Sequence, residues 1–367
     1  MKLKQRFILS CLLIASLMIT ASCGTPAQNG DSATDAAASG TSGETDVTLS
    51  DETIAPTANP DAGADVNPDL VQNLGALLLI GDSAYEYYNF VLDLADKYIN
   101  VINKAGEQLK GTSNVYNIVA PNSMGIVLKD SFTENLNTSD QRKALEYIGG
   151  SINPSLAKSI FVFDILKLHC DEYLYFRTDH HWTALGAYYA YTQFASEKGF
   201  KPADLSAFSE LTFDGFLGSF YSQAGQRAEM KNNPDTITAY KPPYNIDVRM
   251  TNTTGEMLDW ELISDVTDWD AGSKYSTFAA GDSPYTIIKN NDLENNLSCA
   301  VVKDSYGNAF IPFLTMHYQT VHVIDFRYWD GTLADFVKEN KIDDVLFVNT
   351  ISTTRNSSLI SAMESLF

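Results

Sequence analysis

Ala300-Val301-Val302, Lys303-Asp304-Ser305-Tyr306-Gly307 and then residues 308–317 read as strand, turn and helix in succession. An unbroken apolar run suits a strand covered on both faces, which is the habit of parallel sheets. The alternation continues to the C-terminus. Residues 321–324 read as a strand, 333–340 as a helix, 345–348 as a strand and 353–367 as a last helix. Working backwards, Leu77-Leu78-Leu79-Ile80 and residues 115–121 read as strands, with a helix over 89–109 between them. A helix over 140–148 and a strand at Ile160-Phe161-Val162-Phe163 follow. Strands alternating with helices predict an α/β fold built on a parallel sheet.

Upstream of that alternation lies Tyr175-Phe176-Arg177-Thr178-Asp179-His180-His181-Trp182-Thr183, in a chain of 367 residues with only five histidines. Read as extended chain, side chains two apart share a face. Asp179 and His181 then project together and His180 points away. A carboxylate beside an imidazole can fix its tautomer and stabilise its cation. Residues 184–197 read as a helix capped by Thr183 and ended by Gly199, with Leu185, Tyr188, Tyr189, Thr192 and Ala195 on the core-facing stripe.

An Asp–His pair needs a group to activate, and three of the serines that follow an aspartate are candidates: Ser83, Ser283 and Ser305. Pro284 favours extended chain after Ser283 rather than a helix start. Ser83, in Gly81-Asp82-Ser83, resembles the Gly-Asp-Ser start of many esterases. Ser305 sits where a strand gives way to a helix, whose first N–H groups and positive dipole end suit a developing oxyanion. Ser305 is the preferred nucleophile, with His181 as base and Asp179 orienting it. Gly307 and Asn308 are candidate oxyanion donors, Arg177 and Arg327 candidate substrate contacts, and Asn349 a further candidate donor.

The chain begins with basic Met1-Lys2-Leu3-Lys4-Gln5-Arg6, then an apolar run to Thr20, then Ala21-Ser22-Cys23. This describes an export signal over 1–23. Ile19-Thr20-Ala21-Ser22-Cys23 resembles a bacterial lipobox, with Cys23 as the lipidated residue and Thr20 in place of the usual leucine. Residues 24–70 hold no Lys or Arg and many Ala, Thr, Ser, Gly and Asp. Such a segment buries too little apolar surface to order itself, so it is expected to be an acidic, disordered tether. The folded part is expected over 71–367, with a partly β insertion at 205–295 where Gly, Pro, Asn and Asp break up short apolar runs. The expected location is the outer face of the cytoplasmic membrane, held by lipid at Cys23. A formal charge of −21 argues against nucleic-acid partners. Cys170 and Cys299 either pair or remain reduced, and no metal cluster is expected of them.

These blocks resemble the bacterial DHHW protein family. The likeness rests on Tyr175 to Thr183 with Gly186-Ala187-Tyr188-Tyr189, on Phe216-Leu217-Gly218-Ser219-Phe220-Tyr221, on Lys303 to Asn308 and on Val323-Ile324-Asp325-Phe326-Arg327-Tyr328, and it covers most of 75–367. That family looks related to the alginate O-acetylation proteins, whose SGNH-hydrolase-like domain places an Asp-x-His pair before its serine. His180 departs from the small residue common at the middle position. The resemblance implies a Rossmann-like SGNH fold, no cofactor, and a Ser-His-Asp O-acetyltransferase or acetylesterase acting on a polysaccharide, with a membrane-bound O-acyltransferase as a possible partner. Two rival readings are a non-catalytic glycan-binding or scaffold lipoprotein, and a metal-dependent hydrolase using Asp179, His180 and His181.

Overall fold

The computed structural model describes residues 62–367. The leader and Cys23 lie outside those residues, as does most of the expected tether. The tether's last part does not follow the expectation. From residue 62 the chain is already part of the fold: Ala64 bridges Leu128, its N–H donating to Val127 O at 2.8 Å, and Asp65 pairs with Lys129.

A three-stranded antiparallel meander comes first: β1 (Val71–Asn73), β2 (Leu77–Ile80) and β3 (Ser83–Glu86). The apolar run 77–80 is therefore a strand, but it pairs within this meander and not in the main sheet. Apolarity marks burial; it does not choose the partner strand. The remaining strands are β4 (Asn114–Ala120), β5 (Lys158–Ile160), β6 (Ser209–Phe216), β7 (Asp235–Lys241), β8 (Ile246–Thr251), β9 (Met257–Trp260), β10 (Tyr285–Asn290), β11 (Ser298–Lys303), β12 (Thr320–Asp325) and β13 (Asp344–Thr350). Eight of them form one sheet in the order β5-β4-β13-β11-β12-β10-β8-β9. The first five are parallel. The last three add on antiparallel. β11 is buried along its whole length, as its apolar run predicts.

Alternation along β4 shows how the helices are layered. Tyr116 packs edge-on against Phe194 of the helix Ala184–Lys198. Its neighbour Asn117 accepts a hydrogen bond from Tyr98 of the helix Leu92–Gln108. Adjacent strand residues face opposite ways, so these two helices cover opposite faces. The helix Ala184–Lys198 has the expected caps: Thr183 accepts from Gly186 N–H, and Gly199 takes the left-handed conformation at φ 84°. Its core face differs from the expected stripe. Ala195 is buried as expected, together with Gly186, Ala187, Ala190, Tyr191 and Phe194, while Leu185, Tyr188, Tyr189 and Thr192 are only half-buried. Close packing selects the small side chains: a Cβ on Gly186 would lie 2.6 Å from Leu174 O.

Residues 160–163 are shared between the end of β5 and the start of the helix Phe163–Leu168. Between 205 and 295 the chain makes the separate hairpin β6–β7 and then the antiparallel strands β8, β9 and β10 of the main sheet. Cys170 and Cys299 are both free thiols, the second fully buried. No helix among the described residues is long and apolar enough to cross a membrane.

Chain order reverses beside β11. The chain runs from β11 to β12 on one side and then returns to place β13 on the other. In open α/β sheets such a reversal leaves a crevice at the carboxyl ends of the strands, where ligands bind. Ser305 follows β11 at that end, and Asn349 lies near the end of β13.

Candidate active site

Asp304 holds the serine turn in place. Its carboxylate accepts from Tyr306 N–H (3.0 Å), Thr350 N–H (2.8 Å) and Thr353 Oγ1 (2.8 Å). Its own N–H donates to Asn349 Oδ1 at 3.1 Å. The turn after β11 is thus bonded to the end of β13, and of its partners Tyr306, Asn349 and Thr353 are buried. Gly307 is required where the chain swings into the helix Gly307–Leu314, because a Cβ there would lie 2.6 Å from Lys303 Cβ.

The histidine stretch is a tight fold-back and not an extended strand. Tyr175 bridges Trp182, and Thr183 N–H donates to Leu174 O at 2.8 Å. Buried Trp182 donates through Nε1 to Tyr306 O at 2.9 Å, and the Tyr306 hydroxyl donates to His180 O. Two reciprocal bonds therefore clasp this turn to the serine turn, across 124 residues of sequence between Trp182 and Tyr306.

That clasp brings together three of the expected residues. Ser305 Oγ lies 2.6 Å from His181 Nε2, and His181 Nδ1 lies 2.5 Å from Asp179 Oδ1. A carboxylate only accepts, so Nδ1 carries the proton and Nε2 presents a lone pair to the serine. Asp179 Oδ1 also accepts from His181 N–H (3.1 Å), and Oδ2 from Ser219 N–H (2.7 Å). Burial opposes ionisation of Asp179. The two imidazoles and these hydrogen bonds outweigh it and hold the carboxyl well below the carboxylate range. Tyr275 stacks on the His181 ring, centroids 3.8 Å apart and planes within 9°, and donates to Ser305 O at 3.1 Å.

Other expectations need correction. Gly307 N–H donates to Asp304 O and Asn308 N–H to Ser305 O, while the Asn308 amide donates to Asp282. Those donors are consumed inside the turn, as the first N–H groups after a strand often are when the helix begins with a tight turn. The Ser305 N–H has no partner among the described residues. Asn349 is fully buried and positions Asp304 instead of facing substrate. Arg177 is tied to Asp235, Asn233 O and Pro234 O, a structural role. Arg327 reaches the cavity wall but is paired with Asp325 and Asp282. Ser83 donates to neighbouring Asp82, and Ser283 to Thr251 O and Tyr285 O.

His180 is the largest departure. Its ring lies 3.8 Å from that of His181, because the fold-back removes the alternation that would have separated them. Asp179, His180 and His181 consequently bring possible metal-ligating atoms within 4.8 Å of one another. The residues missed in the sequence, Gly218, Ser219, Tyr275 and Asp282, all come from 205–295. Gly218 and Ser219 stand in a recognisable block there, but nothing in its pattern connects it to Asp179.

Ser305 and His180 open into a cavity of about 650 Å³, whose wall also includes Glu86, Asn137, Arg327 and Arg355.

The DHHW protein family matches residues 27–324. The chain belongs to that family. A DHHW family protein from Eubacterium siraeum superposes with a TM-score of 0.75 at 27% identity, covering 83% of this chain and 99% of that one. Bacillus cereus PatB1, solved with a sulfonyl adduct, superposes at 0.65 and 19% identity, covering 79% and 98%. The O-acetyltransferase domain of Pseudomonas putida AlgJ overlaps at 0.43 and 12% identity, covering 80% and 98%. No curated protein matches the sequence. This DHHW protein thus has an α/β fold, with helices on both faces of a largely parallel sheet, that it shares with the DHHW family protein from Eubacterium siraeum and with PatB1.

Proposed function

We propose that this DHHW protein is an exported, serine-dependent acyl-transfer enzyme that moves acetyl groups onto or off a cell-envelope polysaccharide. The observation that carries the reading is the unbroken relay from Asp179 through His181 to Ser305, opening on a cavity. His181 Nε2 takes the Ser305 proton as Oγ attacks an acetyl carbonyl. General-base help of this kind contributes about 10²–10⁴-fold. The Ser305 N–H supports the oxyanion. The alcohol leaves with the proton from His181, giving an acetyl-serine. A sugar hydroxyl or water then attacks, its proton going to His181, and Ser305 Oγ leaves with that proton, giving the acetylated sugar or acetate. Asp179 keeps the tautomer and steadies the imidazolium. The acetyl group and the polysaccharide come from the motif likeness to the alginate O-acetylation proteins. Lipid attachment at Cys23, the tether and a membrane-bound O-acyltransferase supplying acetyl groups complete the proposal.

The test uses 4-nitrophenyl acetate, an acetylated glycan and a sulfonyl fluoride. We expect Ser305→Ala to lower ester turnover by at least about 10³-fold and to abolish covalent labelling in the intact mass, with Ser83→Ala unaffected. Loss on Ser83→Ala with retention on Ser305→Ala refutes the assignment. Glycan retention without ester turnover points instead to the binding or scaffold role.

A further inference from the structure

We propose that His180 binds the sugar, its Nε2–H donating to a hydroxyl oxygen of the residue that carries the acetyl group. The proposal rests on the acyl-transfer reading above. It accounts for the second imidazole, which the relay does not use.

The contacts at Nδ1 leave Nε2 as the nitrogen that faces substrate. His180 Nδ1 lies 2.6 Å from Ser219 Oγ, and the same oxygen faces the His180 backbone N–H at 3.4 Å. The proposal takes Ser219 as the donor to Nδ1, which leaves the ring's own hydrogen on Nε2; Nδ1 also lies 3.7 Å from Asp179 Oδ2. Ser219 is itself held, through its N–H, by Asp179. Nε2 has no partner among the described residues. The side chain is about one-third exposed and lines the same cavity as Ser305.

Position and charge agree with this role. The alcohol that exchanges a proton with His181 must sit beside that ring, and His180 lies against it with the planes tilted by 37°. Burial first, and then the neighbouring His181, push the His180 imidazole down, so it works as a neutral donor. No proton leaves it during the reaction. A site that offers a donor to a substrate hydroxyl discriminates against substrates lacking one.

The experiment compares kcat/KM for a partially O-acetylated cello-oligosaccharide and for 4-nitrophenyl acetate, which has no sugar. His180→Ala is expected to lower the sugar-to-aryl ratio about tenfold, the worth of one hydrogen bond. His180→Gln, whose amide donates, recovers part of it. An unchanged ratio in His180→Ala overturns the proposal. Nitrogen-15 spectra of histidine-labelled protein give a second, activity-independent reading. A proton on Nε2 supports the assignment and a proton on Nδ1 overturns it. Failure of the wild-type chain on both esters would remove the acyl-transfer reading instead, and the tautomer measurement separates the two outcomes.

Discussion

A methyl group on residue 218 would land on the Asp179 carboxylate, which makes Gly218 the least replaceable small residue near the site. Its backbone conformation is ordinary, so the demand is one of space and not of dihedral angle. Gly218→Ala should push Asp179 off His181 Nδ1 and leave the imidazole in a mixture of tautomers. Loss of the orienting acid costs about 10⁴-fold in a serine triad, so we expect a fall of about 10²–10⁴-fold in kcat, measured on 4-nitrophenyl acetate. Unchanged turnover would mean that Asp179 does not orient the base. Arg177 should behave in the opposite way. Its guanidinium reaches Asp235 and two carbonyls away from Ser305, so Arg177→Ala should lower stability by about 1–3 kcal/mol in urea unfolding while kcat stays within about threefold. Single residues were unevenly legible in the sequence. Asp179, His181 and Ser305 could be picked out by chemical type and by their place in the strand–turn–helix pattern. Gly218 and Tyr275 could not, because their importance lies entirely in what they touch.

Elements whose formation depends on local physics were readable, and those that depend on a partner were not. Residues 333–340 are helical with the expected bounds. The helix after Thr183 has its expected caps, since the hydroxyl and the glycine act within one turn. Strand 77–80 went to the meander because pairing is decided between segments, and His180 swung beside His181 because a bridge from Tyr175 to Trp182 closes the stretch. That same closure gives Trp182 a structural purpose. Its indole N–H is the buried donor to Tyr306 O, so it fastens one functional turn to the other. Trp182→Phe keeps much of the ring and deletes the donor, leaving a buried carbonyl without it. We expect a loss of about 1–3 kcal/mol in chemical unfolding, with slower sulfonyl labelling of Ser305 in the still-folded fraction. Full stability in Trp182→Phe would show that the clasp does not hold the turns together.

For the molecule as a whole, histidines set an acid limit on stability. Burial pushes His322 down to about 4, His317 is lowered by burial, and His180 by burial and His181. The unfolded chain takes up these protons near pH 6.5, and the folded chain does so only at lower pH. Between those values the unfolded state binds more protons, so stability falls as pH drops from about 6.5 towards 4. His322 alone should account for up to about 3 kcal/mol of that fall. The Tyr285 hydroxyl lies 2.8 Å from its Nδ1 and can donate only while that nitrogen is unprotonated. Urea unfolding at pH 7 and at pH 4.5 should show a smaller difference in His322→Gln than in the natural sequence. An equal difference would exclude His322 as the cause. The long reach between the two halves of the site has a different consequence. Ser305 and its base are 124 positions apart, and the ring against that base comes from a third segment. An incomplete or denatured polypeptide therefore holds a serine no more reactive than any other. Covalent capture of Ser305 by a sulfonyl reagent would then count finished molecules one by one, giving a direct stopwatch for maturation.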